Sequence, residues 1–286
     1  MGVREIISIS RPRFWLYTAG PYLLGYTASS GSICDLLSPA FIGIFLYFMI
    51  PANLYLYGIN DLFDLDTDVY NPKKGSREVL STEIGVTKLA AVAIASLVIS
   101  IPVLAILWGY PRLLMMLFLL LSTIYSAPPL RLKSRAFLDS YSNSLYAVPM
   151  IMGYSQNRGY LPETSIIIAS ILWTAAMHAF SAIPDIEYDR KAGLRTTAVL
   201  LGARGSLAFC TINWGLASLI AITHDPLLLP SLLYPAISLY LLFKPESVER
   251  IYWELPKINT VMGFLAFIYI LYRKGFLISI ATPQCS

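Results

Sequence analysis

Four aspartates fall within eight positions at the end of an apolar run, Asp61, Asp64, Asp66 and Asp68 in the stretch NDLFDLDTD, and two more, Asp185 and Asp189, close a second apolar run in DIEYD. Residues three, four and seven apart share a helix face. Carried past its apolar end, the first helix therefore aligns Asn53, Tyr57, Asn60 or Asp61, Asp64 and Asp68, with Asp66 directed elsewhere. The second aligns His178, Ser181, Asp185 and Asp189. Like charges four residues apart repel and raise one another's pKa, and bound divalent cations relieve that repulsion. The donors are oxygens with no Cys or His cluster beside them, which points to Mg2+ rather than Zn2+. Mg2+ completes its shell with water and substrate phosphates. A phosphorylated substrate between two acid-lined faces is implied, with Asn60, Asp61, Asp64, Asp68, Asp185 and Asp189 as the candidate metal set.

Blander readings compete with this one. Asp64, Asp66 and Asp68 mimic the start of a calcium loop, but Val69 stands where the turn glycine belongs and Gly75 where the bidentate acid belongs. A solvated acidic loop is the ordinary reading of one such run, and two runs at matching positions weaken it. Bases follow each run, Lys73, Lys74 and Arg77 after the first and Arg190, Lys191 and Arg195 after the second. Arg77, Arg131, Lys133 and Arg13, with Asn60, are the candidates to bind diphosphate oxygens, because arginine's fork suits phosphate geometry. For each base the alternative is a topological anchor or a lipid headgroup contact.

Three further groups belong to apolar surroundings. Asp139, Asn143 and Tyr146 share one helix face, and polar groups inside a membrane helix favour the bundle interior or a cavity. Tyr146 either orients a carboxylate or sits beside a cationic intermediate, with simple packing as the alternative. His178, two turns deeper than Asp185, is a helix-to-helix hydrogen-bonding group or, with Asn53 and Asn143, part of an acceptor pocket.

The elements that must carry these residues follow from composition. The 286 residues are 56% hydrophobic and 13% charged, with a mean hydropathy of +0.63, where soluble domains carry roughly 25% charged residues. This is the composition of an integral membrane protein. Apolar stretches at 12–30, 38–60, 86–108, 112–128, 138–154, 164–184, 206–222, 227–243 and 257–277 each fit the ~20 residues needed to cross a bilayer core. They predict an all-α, multi-pass bundle of nine transmembrane helices around a central cavity, in one domain over 1–286. With the N-terminus cytoplasmic, all of the 21 Lys and Arg except Arg112, Arg158, Arg273 and Lys274 fall on the cytoplasmic side, as the positive-inside rule asks. Of the acids, Asp35, Glu163 and Asp225 fall outside. Acids hardly influence topology, so their clustering makes the cytoplasmic face of the cell membrane the working surface. The net charge of +4 reflects topology and implies no nucleic-acid partner. Cys34, Cys210 and Cys285 form no CxxC pair, and packing is their default role, with a disulfide between the outward-facing Cys34 and Cys285 as the alternative.

The two acidic motifs, with YSAPPLRLK at Tyr125 to Lys133, resemble the UbiA superfamily of intramembrane prenyltransferases. NDLFDLDTD is similar to that family's NDxxDxxxD motif, DIEYD to its DxxxD motif, and YSAPPLRLK to the loop between its fourth and fifth helices. The resemblance covers nearly the whole chain. It implies a helical bundle around a cavity open to the cytoplasm and laterally to lipid, with Mg2+ held by both motifs and binding a prenyl diphosphate. Asn60, Asp61, Asp64 and Asp68 match the first motif, Asp185 and Asp189 the second, and Arg77 stands where a basic residue commonly follows the first. A finer resemblance, through SRPRFWLYTAGPYLLG and FSAIPDIEYDRKAGLRTTAVLG among others, is to the lycopene elongase branch. It implies transfer of a five-carbon allylic group to a lipophilic acceptor, a carotenoid end, with an aromatic ring or a glycerolipid as the other acceptors. Two other classes fit less well. A membrane CDP-alcohol phosphotransferase calls for a DGxxAR element that the chain lacks. A cation-coupled secondary transporter calls for carboxylates near the bilayer midplane and broken helices.

Overall fold

The structure, a computed structural model, describes residues 2–65 and 84–280. Asp66, Asp68, Lys73, Lys74 and Arg77 lie outside the described residues. In lipid every backbone polar group must be satisfied within the protein, so apolar runs of this length become helices. In chain order these are α1 (Val3–Ile9), α2 (Trp15–Ser29), α3 (Pro39–Met49), α4 (Pro51–Leu62), α5 (Val86–Ile106), α6 (Tyr110–Ser126) and α7 (Leu138–Tyr141). They continue as α8 (Val148–Arg158), α9 (Thr164–Ala182), α10 (Ile186–Lys191), α11 (Thr197–His224), α12 (Leu233–Phe243), α13 (Val248–Arg273) and α14 (Phe276–Ile280). Among the described residues the only bridge pairs Arg135 with Arg195.

Among the described residues, six stretches are both long and apolar enough to cross a membrane, Pro39–Leu62, Val86–Ile106, Thr164–Lys191, Thr197–His224, Pro226–Phe243 and Pro245–Arg273. The first and fourth expected spans give shorter helices, α2 with 15 residues and α6 with 17. The fifth is not one helix: α7 runs into a 3-10 turn at Ser142–Tyr146 before α8 begins.

Prolines break the two helices that lead to the acidic motifs. The expected run 38–60 divides at Ile50, whose φ of −123° and ψ of −65° leave the helical region ahead of Pro51. Proline has no N–H and crowds the preceding turn. Asn53 repairs the break, its amide donating to the carbonyls of Phe48 (2.8 Å) and Met49 (3.1 Å) and to the Thr18 hydroxyl (2.8 Å). Asn53 is fully buried there and does not line the cavity, which corrects its expected place in an acceptor pocket. Pro184 likewise turns the end of α9 into a 3-10 segment, Ile183–Asp185, after which α10 sets off afresh. Each acidic motif thus rides on a segment re-aimed by a proline.

Two apolar cores flank the cavity. Tyr22, Phe41, Phe48, Tyr55 and Phe118 pack α2, α3, α4 and α6 together. Phe180, Leu207, Trp214 and Leu255 do the same for α9, α11 and α13. In the first half α2 and α8 cross backbone to backbone. A Cβ at Gly25 would overlap the Met150 carbonyl, and one at Gly153 would lie 2.6 Å from the Tyr22 oxygen; small residues permit such crossings in membranes. α13 packs against α2 and closes the bundle. Cys210 is buried and free, while Cys34 is disulfide-bonded rather than a packing residue.

Candidate active site

On the first wall, α4 ends at Leu62 and Phe63 caps it, so Asp64 lies beyond the helix and not on its continuation. It still meets Asn60, whose amide donates to Asp64 Oδ2 at 2.8 Å. Lys133 Nζ makes a short ion pair with Asp64 Oδ1, and the Arg131 guanidinium stands 3.5 Å from the same oxygen. Asn60 Oδ1 accepts from Ser126 Oγ (3.1 Å) and Lys133 (3.4 Å). The choice between Asn60 and Asp61 on the cavity face resolves to Asn60. Asp61, one residue round the helix, is 1% exposed and accepts from Arg11 at 2.6 Å, and it does not line the cavity.

The bases reach these acids through unusual backbone. Arg11 (φ 48°) and Arg131 (φ 37°) both adopt the left-handed conformation, which non-glycine residues rarely take outside sites that over-determine it. The turn at Arg131 projects the next 3-10 segment, Leu132–Ser134, so that Lys133 is buried against Asp64. Arg11 also stacks on the Tyr57 ring, 4.5 Å from its centroid. Arg13 lines the cavity between Phe14 (4.4 Å) and Trp253 (5.0 Å).

The second wall comes from α9 and α10. Asp185 stands at the N-terminus of α10 and Asp189 one turn on, and both line the cavity. Asp189 accepts from the Thr196 hydroxyl at 3.2 Å. Asp64 of the first wall and Asp185 and Asp189 of the second line the same cavity, which puts carboxylates of both walls around one space. The 131–135 loop is tied to this wall, because Arg195 N–H donates to the Ser134 carbonyl at 3.3 Å.

Beneath the acids the cavity continues into an aromatic chamber of about 1010 Å³ in all. Ser170, Trp173, Met177, His178 and Ser181 line it along one face of α9, with Asp185 just past the helix end, and at 1.5 Å per residue the stretch from Ser170 to Ser181 is roughly 17 Å long. Charge is gathered at one end and aromatic and aliphatic side chains fill the other, a shape for a molecule with an anionic head and a long apolar body. Tyr146 lines the chamber with its hydroxyl 3.0 Å from that of Tyr57. Asn143 lines it too, its amide donating to the Asp139 carbonyl at 2.8 Å. His178 Nε2 lies 3.8 Å from Asp139 Oδ2, and the Tyr125 ring meets the imidazole edge-on. Asp139 itself is fully buried and does not line the cavity.

The donor set can be tested against a divalent cation. Among the described residues no three His, Cys, Asp or Glu side chains form a ready-made metal cluster. Asp64, Asp185 and Asp189, with the Asn60 side-chain amide, line the cavity and offer oxygen donors with no Cys or His among them. That set fits Mg2+, which takes one or two carboxylates and completes its shell with water and phosphate oxygens.

Thr196 belongs to the site without having been singled out from sequence, whereas Tyr57 is expected on the acid-bearing face and Tyr125 only as the first residue of the YSAPPLRLK stretch. Arg11 reads from sequence as a cytoplasmic anchor or a diphosphate-binding base, and its place before Pro12 steers it out of the helical region.

The chain matches the UbiA prenyltransferase family over residues 18–271. It is 42% identical over 267 residues to the lycopene elongase/hydratase of Haloferax volcanii, covering 93% of this chain and 88% of that protein. It is 39% identical over 261 residues to the lycopene elongase/hydratase of Haloarcula japonica, covering 91% and 88%. Among solved structures, its fold matches that of a UbiA homologue from Archaeoglobus fulgidus bound to GPP and Mg2+, with a TM-score of 0.66 and 25% identity over 92% of this chain and 99% of that one.

Proposed function

Because this chain belongs to the UbiA prenyltransferase family and is a prenyltransferase, we propose that it moves a five-carbon allylic group from its diphosphate to the end of a carotenoid within the membrane. The observation that carries this reading is the facing of Asn60 and Asp64 by Asp185 and Asp189 across the mouth of one long aromatic chamber. Asn60, Asp64, Asp185 and Asp189, joined by Asp68, would hold Mg2+, which when bound neutralises the departing diphosphate. Asp61 is better assigned to holding Arg11 in place.

The other residues have roles that follow from their positions. Lys133, Arg131 and Arg13, with Arg77, bind diphosphate oxygens and stabilise the charge that builds there as the allylic C–O bond breaks. The ring faces of Tyr57 and Tyr146 sit beside the prenyl carbon as it becomes positive. The apolar chamber walls exclude the water that would otherwise capture the cation. The carotenoid acceptor rests on the kinship with the lycopene elongase/hydratases.

The protein is an integral membrane protein. Within that statement we assign it nine crossings in one domain of the cell membrane, with the N-terminus and the mouth of the chamber cytoplasmic. The support is the distribution of Lys and Arg along the chain.

Incubation of the purified protein with labelled dimethylallyl diphosphate, Mg2+ and lycopene tests the reaction. A labelled, longer carotenoid is expected, and chelation of the metal abolishes it. Label found only in an aromatic or glycerolipid product from a native lipid extract would remove the carotenoid assignment.

A further inference from the structure

A chain of three polar side chains crosses the apolar part of the chamber. Tyr17 comes from α2, Asn259 from α13 and Tyr234 from α12, and all three line the cavity. The Asn259 amide donates to the Tyr17 hydroxyl at 2.8 Å, and its oxygen accepts from the Tyr234 hydroxyl at 2.8 Å. We propose that this bridge is a binding site for a hydroxyl oxygen, carried by the lipophilic substrate or by one fixed water, an inference that rests on the chamber being the seat of that substrate.

In the bridge the donors outnumber the acceptors by one. A tyrosine hydroxyl donates a single proton, and an amide sets its oxygen on one side and its N–H groups on the other. Placed between two hydroxyls, the amide takes a proton from one and gives a proton to the other. One phenol O–H is left over, here that of Tyr17. Turned over, the amide would leave the Tyr234 proton instead, so the surplus donor does not depend on which way the amide faces. Among the described residues no acceptor takes that proton.

The surroundings do not make up the deficit. Asn259 Nδ2 also reaches the Met177 sulfur, at 3.7 Å. One turn further from the acids on α9, the Trp173 ring meets the Tyr234 ring edge-on, with centroids 5.4 Å apart. On α2 the cavity-lining residues that follow Tyr17 are Gly20, Pro21, Leu23 and Leu24, which bring no side-chain acceptor. Tyr234 is 5% exposed, and inside a bilayer an unpaired donor has no bulk water to turn to. A hydroxyl oxygen in the chamber answers it, and a hydrocarbon does not. The bridge therefore favours a chain that carries a hydroxyl over the same chain without one. A brace between α2, α12 and α13 would work as well with no proton to spare, and that difference is what an experiment can read.

Binding of lycopene, and of lycopene bearing one terminal hydroxyl, can be followed by quenching of tryptophan fluorescence in lipid nanodiscs. Wild type should bind the hydroxylated chain about fivefold more tightly, the worth of one neutral hydrogen bond. Tyr17→Phe/Asn259→Leu/Tyr234→Phe replaces the bridge by apolar groups of similar shape and should bind both carotenoids equally. Asn259→Leu alone cuts the brace but leaves both phenol protons unpaired, so it should keep the preference. A preference that survives in the triple variant, or that disappears in Asn259→Leu, would overturn the site. Equal affinities in wild type assign the oxygen to water if a cryo-EM map shows an ordered oxygen within hydrogen-bond distance of Tyr17 or Tyr234, and overturn the site if it shows none. Absence of carotenoid binding altogether would instead count against the acceptor assigned above, and the same map would still decide the oxygen site.

Discussion

On one wall of the cavity Asp64 is surrounded by Lys133, Arg131 and the Asn60 amide, whereas on the other Asp189 receives a threonine hydroxyl and faces carboxylates. Both walls follow a proline-broken helix and both bring aspartates to the same mouth. Their difference lies in where the compensating charge comes from. The first wall carries its cations within the chain and keeps its shape unaided. Among the described residues Asp189 accepts from Thr196 and has no Lys or Arg ion pair, so this carboxylate depends more on a cation from solution.

The largest expected effect is on catalysis, and there the walls should behave alike. Asp64→Ala and Asp185→Ala should each lower Mg2+-dependent transfer by at least about 10³-fold, since either removes part of the charge arrangement around the diphosphate. Full activity in either variant would break the pairing of the walls.

Stability should separate them. Lys133→Met strips a buried partner from Asp64, and removing one member of a buried pair typically costs roughly 3 kcal/mol. Thermal unfolding in detergent should register that loss while leaving a stabilising shift on adding Mg2+. Asp189→Ala should instead lose the Mg2+ shift, worth about 2.7 kcal/mol at a hundredfold excess over Kd, with little change in the metal-free midpoint. Equal behaviour of the two variants would erase the distinction. The smallest effect is expected from Thr196→Val, which removes one neutral hydrogen bond to Asp189. A loss of about 1 kcal/mol is expected, read as a modest weakening of Mg2+ in the same unfolding assay.

The motifs could be read from sequence because acids three and four residues apart, at the ends of apolar runs, have few structural reasons to be there. The helical class was legible for a similar reason, since the run lengths match a bilayer. Other features depend on contacts that spacing does not encode. Proline is tolerated inside membrane helices when neighbours satisfy the freed carbonyls, so Pro51 alone did not announce a break. Asn53, which does the satisfying, looked like a cavity residue because it shares a helical face with Tyr57 and Asn60. The left-handed turns at Arg11 and Arg131 are invisible in a sequence, because arginine carries no preference for them. Asp139 gives its carboxylate to Thr197, 58 residues away, and helical spacing within 138–154 could not foretell that pairing. Asp61 turned away from the cavity for a reason only the three-dimensional neighbour Arg11 supplies.

Both walls should serve one Mg2+-dependent diphosphate site. Calorimetric titration of a non-reactive prenyl thiodiphosphate into wild type, Asp64→Ala and Asp185→Ala tests it most directly. Wild type should bind only when Mg2+ is present, and neither variant should bind measurably. Undiminished binding to Asp64→Ala or Asp185→Ala, or binding to wild type that ignores Mg2+, would contradict it.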